Sequence, residues 1–321
     1  MKNNIKLDTK DYQILRELDI NFRQSFSKIG KKVRLSKNSV ALHFNKLSQN
    51  MLHNVTGINN EILGYTMIKV FYTFDFYNDK TEREIINELK KHKNITWVAK
   101  FYGSYDICIC LLVNNLDDLV SHLSKFNEKF SRKINQKEIQ IIYEQFYFRN
   151  NFIHKEPINK IYEIHKTNKI ISLTNIDKKI ISQVRYNPRE SIIDIARKTR
   201  LNQKTVSSRL RALEKNNVIM GYFMTLDSNK FGFNAFKLLF QVQNLKDSKK
   251  FESYLSSIKN MHYITKMLGL WDYEIDCVYF DMNDLQRQIE LIKERFPNVL
   301  KKISILSFGK RIVTNKENFL N

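Results

Sequence analysis

Two stretches of the chain carry side chains suited to holding a polyanion. In residues 203–213, Val206, Leu210 and Leu213 recur at i, i+4 and i+7, the spacing of one buried helix face. Gln203, Lys204, Thr205, Ser208, Arg209 and Arg211 then fall on the other face, where amide, hydroxyl and cationic groups can donate to phosphates and to base edges in a DNA major groove. Residues 37–47 repeat the arrangement: Val40, Phe44 and Leu47 form the stripe, and Lys37, Asn38, Ser39, Leu42, His43, Asn45 and Lys46 the opposite surface, which is less basic. A second chemistry lies further on. Asp272, Glu274 and Asp276 alternate as residues on one face of a strand do, and an acidic triplet on a covered face must be neutralised, hydrated or bound to a cation. Either Lys237 pairs with it across the sheet, or Glu274 or Asp276 receives the ammonium group of a ligand.

These stretches belong to a repeat. Setting Asp11 against Asp177 and reading to Asn50 against Asn216 aligns forty positions without a gap, and twelve are identical, among them Asp11, Arg23, Arg34, Leu35, Val40 and Leu47 with their partners 166 later. Chance would give about two or three, so the chain carries a duplication. The offset returns at Gly103-Ser104-Tyr105-Asp106 against Gly269-Leu270-Trp271-Asp272, and Asp106, Cys108 and Cys110 stand where the second copy has its acids.

Each copy begins with helix signals. Asp8 or Thr174, followed three residues later by Asp11 or Asp177, resembles a capping box, and Ile14, Leu15 and Leu18, or Ile180, Ile181 and Val184, form the first apolar face. A short helix follows Ser25 or Ser191. After a tight turn at Arg34-Leu35 or Arg200-Leu201, the third helix starts behind Ser36 or Asn202. Charge gathers here: residues 7–60 hold nine Lys/Arg against four acids and residues 173–226 eleven against four, whereas residues 61–148 and 227–321 together hold 27 against 23. A net charge of +21 distributed this way suits a polyanionic partner better than a solubility surface.

Behind each helical segment the signals read strand 66–74, helix 80–91, strand 96–102, strand 106–113, helix 116–130 and strand 136–148, and again from 235 to 313, a βαββαβ order. Period-2 reading turns Ile107, Ile109, Leu111 and Val113 toward the helices and Cys108 and Cys110 away from them. The cysteines read as strand packing residues. Met67, Phe71 and Leu239 would leave the open sheet faces apolar, which calls for pairing between the copies or between chains. The intervening 149–172 reads as a linker, with Ile158, Ile161, Tyr162 and Ile164 fitting a short helix.

The run LTNIDKKIISQVRYNPRESIIDIARKTRLNQKTVSSRLRALEKNNVIMGY resembles the amino-terminal half of the Lrp/AsnC (leucine-responsive, feast/famine) transcription regulators, and the resemblance extends over nearly the whole chain, twice. The first copy departs from the pattern at His43 and Ser48. The resemblance implies an α+β architecture: two winged helix-turn-helix domains (1–60 and 173–226) and two ferredoxin-like, RAM-type sensor domains (61–148 and 227–321) in tandem. It also implies double-stranded DNA as partner, pairing of sensor domains within or between chains, and an amino-acid effector where domains meet. That pocket would lie beside the Gly-x-x-Asp turns, with Gly103, Tyr105, Asp106, Gly269, Trp271 and Asp272 as contacts; alternatively the glycines supply only the backbone freedom of a hairpin turn.

Other classes find less in the residues. A branch resembling this family consists of haem-pathway decarboxylases, whose chemistry would gather basic and histidine groups on the sensor domains, whereas the basic excess lies on the helical segments. An interaction module without DNA binding is a third reading. No zinc spacing, phosphate loop or nucleophile–base pair stands out, so no catalytic residue, metal or cofactor is expected. Three cysteines make no disulfide framework, and the absence of a long apolar run or an apolar leader leads to the expectation of a cytoplasmic location.

Overall fold

The computed structural model describes residues 7–75, 77–92, 94–154, 162–165, 167, 169–243 and 248–312. The first copy contains α1 (Thr9–Ile20), α2 (Phe26–Val33), α3 (Lys37–Asn50), β1 (Leu52–Ile58), β2 (Thr66–Phe74), α4 (Asp79–Leu89), β3 (Ile95–Gly103), β4 (Ile107–Val113), α5 (Leu116–Phe130) and β5 (Ile134–Tyr147). After β6 (Tyr162–His165) come α6 (Asn175–Tyr186), α7 (Ile192–Thr199), α8 (Gln203–Lys215), β7 (Ile219–Leu226), β8 (Asn234–Val242), α9 (Ser248–Ser257), β9 (Met261–Leu268), β10 (Tyr273–Tyr279), α10 (Met282–Arg295) and β11 (Leu300–Ile312). The short helix expected between the copies is absent where it can be checked: Tyr162–His165 is a strand on β5, because its backbone groups find partners in a sheet. Ile158 and Ile161 lie outside the described residues.

The elements sort into two units. The first takes residues 7–59, 148–154 and 172–233. Both expected capping boxes form: Asp8 accepts from the Asp11 amide at 2.7 Å and Thr174 Oγ1 from the Asp177 amide at 3.2 Å, while each aspartate accepts the amide of its cap in return. Arg34 and Arg200 sit in the left-handed conformation at φ 57° and 56°, closing α2 and α7 with the same turn ahead of α3 and α8.

Strands β1 and β7 follow the two three-helix segments and pair antiparallel, with Thr56 opposite Tyr222. Those positions are 166 apart, so a local two-fold axis passes between them. Each helical segment packs on the other copy's strand: Met224 and Leu226 of β7 join Ile14, Leu15, Leu18, Phe22, Val40 and Leu47 in one core, and Thr56 Oγ1 donates to the Val184 carbonyl at 2.6 Å. The two arginines matched by the repeat reach across reciprocally. Arg23 donates to the Pro188 carbonyl, and Arg189 donates to the carbonyls of Phe22 and, at 2.9 Å, Gln24. The Arg189 guanidinium also lies over the Phe26 and Phe44 rings, 4.2 and 5.1 Å from their centres.

The second unit takes residues 60–147, 162–171 and 234–312. Each copy forms a four-stranded antiparallel sheet, β5-β2-β4-β3 and β11-β8-β10-β9, and the long last strands join them: β11 pairs with β3, and β5 pairs with β9. The strands thus run in a continuous ring with no free edge between the copies. Ile68, Val70, Ile107, Ile109 and Leu111 pack outward under α4 and α5 with Ile85, Leu123 and Phe126. Inward, Phe71, Phe101, Tyr105 and Cys108 of the first copy meet Leu239, Trp271 and Leu306 of the second. The open apolar faces therefore cover one another within a single chain.

Arg189→Ala removes two hydrogen bonds from a charged donor and strips a cation from the Phe26, Phe44 and Phe22 rings, the last 5.8 Å from the guanidinium. Its cost is expected to be about 2 kcal/mol, read as a lower midpoint in urea unfolding of the full chain. An unchanged midpoint would show that the reciprocal arginines do not hold the two segments together.

Candidate nucleic-acid interface

The third helices are held by the side chains beneath them. On α8, Gln203, Lys204, Ser208 and Arg211 are exposed and Thr205 is half-buried. Arg209 has a different placement: its Nε donates to Asp177 Oδ1 at 2.8 Å and its Nη2 to Asp177 Oδ2. The carboxylate that caps α6 thereby also anchors α8. The first copy builds the same joint from other residues, with His43 Nδ1 2.7 Å from Asp11 Oδ1 and Lys46 Nζ 2.7 Å from Asp11 Oδ2. Lys37, Asn38 and Asn45 are exposed and Ser39 is half-buried. Of the side chains assigned to DNA contact from the sequence, Arg209, His43 and Lys46 thus have a positioning partner, and the rest share the outer face. The anchoring role of the two aspartates was missed; the signal for it was a repeat-matched aspartate together with a basic group at both 43 and 209.

Burial works to raise the Asp11 and Asp177 carboxyls. The hydrogen bonds from His43 and Lys46, and from Arg209 and Thr174, outweigh it and hold both below the ordinary range.

In the second unit, the Gly-x-x-Asp turns are joints between the copies. Gly103 and Gly269 take φ of 137° and 152°, and a Cβ on either would stand 2.6 Å from the Ile305 carbonyl oxygen or 2.7 Å from that of Ile139. Each turn is thus pressed against the other copy's last strand, which only glycine permits. Asp106 accepts the Phe74 amide and Asp272 the Val242 amide, both at 2.8 Å. Tyr105 and Trp271 are buried and meet each other: the indole Nε1 donates to the tyrosine Oη at 3.0 Å. The acidic triplet is likewise engaged. Buried Glu274 accepts from both Lys69 and Lys237, and Lys237 also reaches Asp276 at 2.5 Å. The ammonium groups at Glu274 are the chain's own. Desolvation would raise its carboxyl, but the two lysines keep it below the usual range, and Glu274 in turn raises Lys69 against its burial.

Residues 173–220 match the family model described as winged helix-turn-helix DNA-binding. Fold and site together define a winged helix-turn-helix DNA-binding regulator with paired α/β domains. The chain is 32% identical over 111 residues to the HTH-type transcriptional regulator Ptr1 of Methanocaldococcus jannaschii, covering 33% of this chain and 72% of that protein. It is 26% identical over 99 residues to the HTH-type transcriptional regulator LrpC of Bacillus subtilis, covering 31% and 69%. The chain belongs to the Lrp/AsnC family. Over its whole length it resembles the siroheme decarboxylase NirDL, in the crystal structure with an iron-uroporphyrin III analogue: 12% identity, TM-score 0.67, covering 98% of this chain and 95% of that one. At that identity the likeness is one of fold, and it matches the tandem arrangement of both domain types. Among the described residues no helix is long and apolar enough to cross a membrane.

Because the Asp11 and Asp177 carboxyls lie lower in the folded chain than in the unfolded one, their contribution to stability is complete above about pH 4, the unfolded value, and is lost as pH falls through the depressed folded values. Thermal melts of the full chain should therefore show a fall in Tm below about pH 4 that is shallower in an Asp11→Asn/Asp177→Asn variant. Equal slopes would remove the joints from the account. Glu274→Gln leaves Lys69 buried without its carboxylate, and the expected loss is about 3–5 kcal/mol. Adding Lys69→Met should recover part of it, and a double variant no more stable than the single would show that the charge pair is not the cause.

Proposed function

We propose that the protein is a sequence-specific transcription regulator that binds duplex DNA through α3 and α8. The observation that carries this is the exposed outer face of α8, with Lys204, Ser208 and Arg211 in line on a helix inside the matched winged helix-turn-helix segment. In this reading Lys204 and Lys37 neutralise phosphates, Arg211 reads a base edge with Gln203 and Thr205 beside it, and Asn38, Ser39 and Asn45 contact the groove from α3. Arg209, His43 and Lys46 act through Asp177 and Asp11 by holding the helices at their angle. An amino-acid effector, as the resemblance implies, would act on the sensor ring by opening the Tyr105–Trp271 contact, since the turn carboxylates are taken by backbone amides. Such a ligand shifts DNA affinity only by as much as it prefers one arrangement of the ring.

The whole-chain likeness to NirDL favours a second reading, a decarboxylase acting on a tetrapyrrole. Against it, the inner faces of the sensor ring are filled by Phe71, Phe101, Trp271 and the buried ion pairs, and the positive charge gathers on the helical segments instead. Absorbance titration with an iron-uroporphyrin tests it directly, a saturable band shift at stoichiometric protein favouring the enzyme.

For the first reading, duplex affinity should fall steeply with salt, with a log–log slope of about −0.9 per neutralised phosphate. Lys204→Ala should lower that slope by about one contact on every sequence, whereas Arg211→Ala should cost about 1–3 kcal/mol on the preferred site alone. A flat salt titration, or equal losses for both variants on preferred and random duplexes, would count against it. Amino acids added at millimolar concentration to the same assay test the effector: if none alters affinity, that part falls and DNA binding stands.

A further inference from the structure

We propose that one chain of this protein reads a DNA site made of two unlike halves: an A·T-rich half under α3 whose thymine methyl contacts Leu42, and a guanine-bearing half under α8 read by Arg211. This rests on the DNA-binding reading and adds the nature of the site.

The pairing comes first. The two helical segments lie in one unit and are related by the two-fold between Thr56 and Tyr222, with the reciprocal bonds of Arg23 and Arg189 on either side. A symmetric dimer of helix-turn-helix proteins presents two recognition helices in this way and mirrors its symmetry in a palindromic operator. Here the two helices come from one chain and need not be alike.

Their outer stripes differ at every matched position. On α3 the exposed residues at i, i+4 and i+7 are Asn38, Leu42 and Asn45; on α8 the residues 166 later, also exposed, are Lys204, Ser208 and Arg211. One stripe is neutral and the other carries two positive charges. Leu42 is 71% exposed, the same as Leu116 and more than any other large hydrophobic residue identified as exposed, and it stands between the two amides of its stripe, Asn38 and Asn45, with Lys37 and Lys46 at the sides. In a major groove that combination has a specific match: asparagine pairs with adenine N6 and N7, and an apolar side chain covers the thymine methyl. Arginine pairs with guanine O6 and N7. The joints beneath, Asp11 with His43 and Asp177 with Arg209, hold both helices in place, so the difference lies in what is read.

The experiment is selection of duplexes from a random library by the purified full-length chain, followed by binding measurements on the selected site. The expected motif has two dissimilar halves at fixed spacing. Exchanging the A·T pairs of one half for G·C should weaken binding about tenfold or more, the size of a lost base contact. Leu42→Ala should weaken binding to that half alone, without altering the salt slope, because it removes no charge. Replacing the three residues of the α3 stripe together (Asn38→Lys, Leu42→Ser, Asn45→Arg) should shift the selected motif toward an inverted repeat of the α8 half, with circular dichroism confirming the fold. A palindromic motif from the unaltered chain would overturn the proposal, and so would a single half-site indifferent to Leu42→Ala. Failure to enrich any sequence, with binding that is weak and unselective, would instead remove the DNA reading on which the proposal rests.

Discussion

The buried contact of Lys69 and Lys237 with Glu274 is the interaction on which the second unit turns. Charges taken out of water are tolerated when they are paired and hydrogen-bonded, and an unpaired one is costly. Here the pairing crosses the repeat: Lys69 belongs to the first copy, and its carboxylate belongs to the second. The first copy has cysteines where the second has Glu274 and Asp276, with Cys108 and Cys110 buried and their thiols pushed up chiefly by loss of water. Two first copies facing one another would bring two lysines together without these carboxylates, and two second copies would bring twice the acid. One of each balances two lysines against Glu274 and Asp276. The interior therefore discriminates between pairings by leaving charges unmatched in the wrong ones, which is one of the two ways specificity is built.

The covalent link then changes what the pairing costs. Where separate chains must find each other, association consumes translational and rotational freedom; two copies in one chain meet at a high effective concentration and stay paired at any dilution. The tandem repeat builds two such pairs. The strands β1 and β7 with the reciprocal arginines serve the helical unit, and the swapped ends of β5 and β11 serve the sheet unit. In each, an element of one copy completes the core of the other, so neither half is finished on its own.

Much of this was legible in the residues because it depends on period. The capping boxes at Asp8 and Thr174, the stripe of Val206, Leu210 and Leu213, and the alternation that turns Ile107 and Cys108 to opposite faces all report which side of an element is buried. Period does not report what lies opposite. Nothing in the spacing of Arg209 tells that its partner is Asp177, 32 residues earlier, and a basic residue on a helix face reads equally well as a DNA contact. Nor does spacing tell that Trp271 and Tyr105, both candidate ligand contacts from their place beside the turns, meet each other across the repeat. At Tyr162–His165 the apolar spacing suited a helix, and the outcome was decided by a neighbouring strand with backbone groups to satisfy.

The repeat itself separates structure from function. Positions identical in both copies include those that close and join the helical unit: Asp11 and Asp177 as box and anchor, Arg23 and Arg189 as reciprocal bonds, Arg34 and Arg200 as left-handed turns, Val40 and Val206 in the core. None of the exposed stripe positions on α3 and α8 is identical. A degenerate copy kept only as a spacer would lose its cap and its anchor along with its surface, since nothing would hold the helix to a working angle. The first copy keeps both and rebuilds the anchor from His43 and Lys46 in place of a guanidinium. Its third helix is therefore tied to the first helix at the same aspartate as in the second copy, while the residues of its exposed stripe have changed.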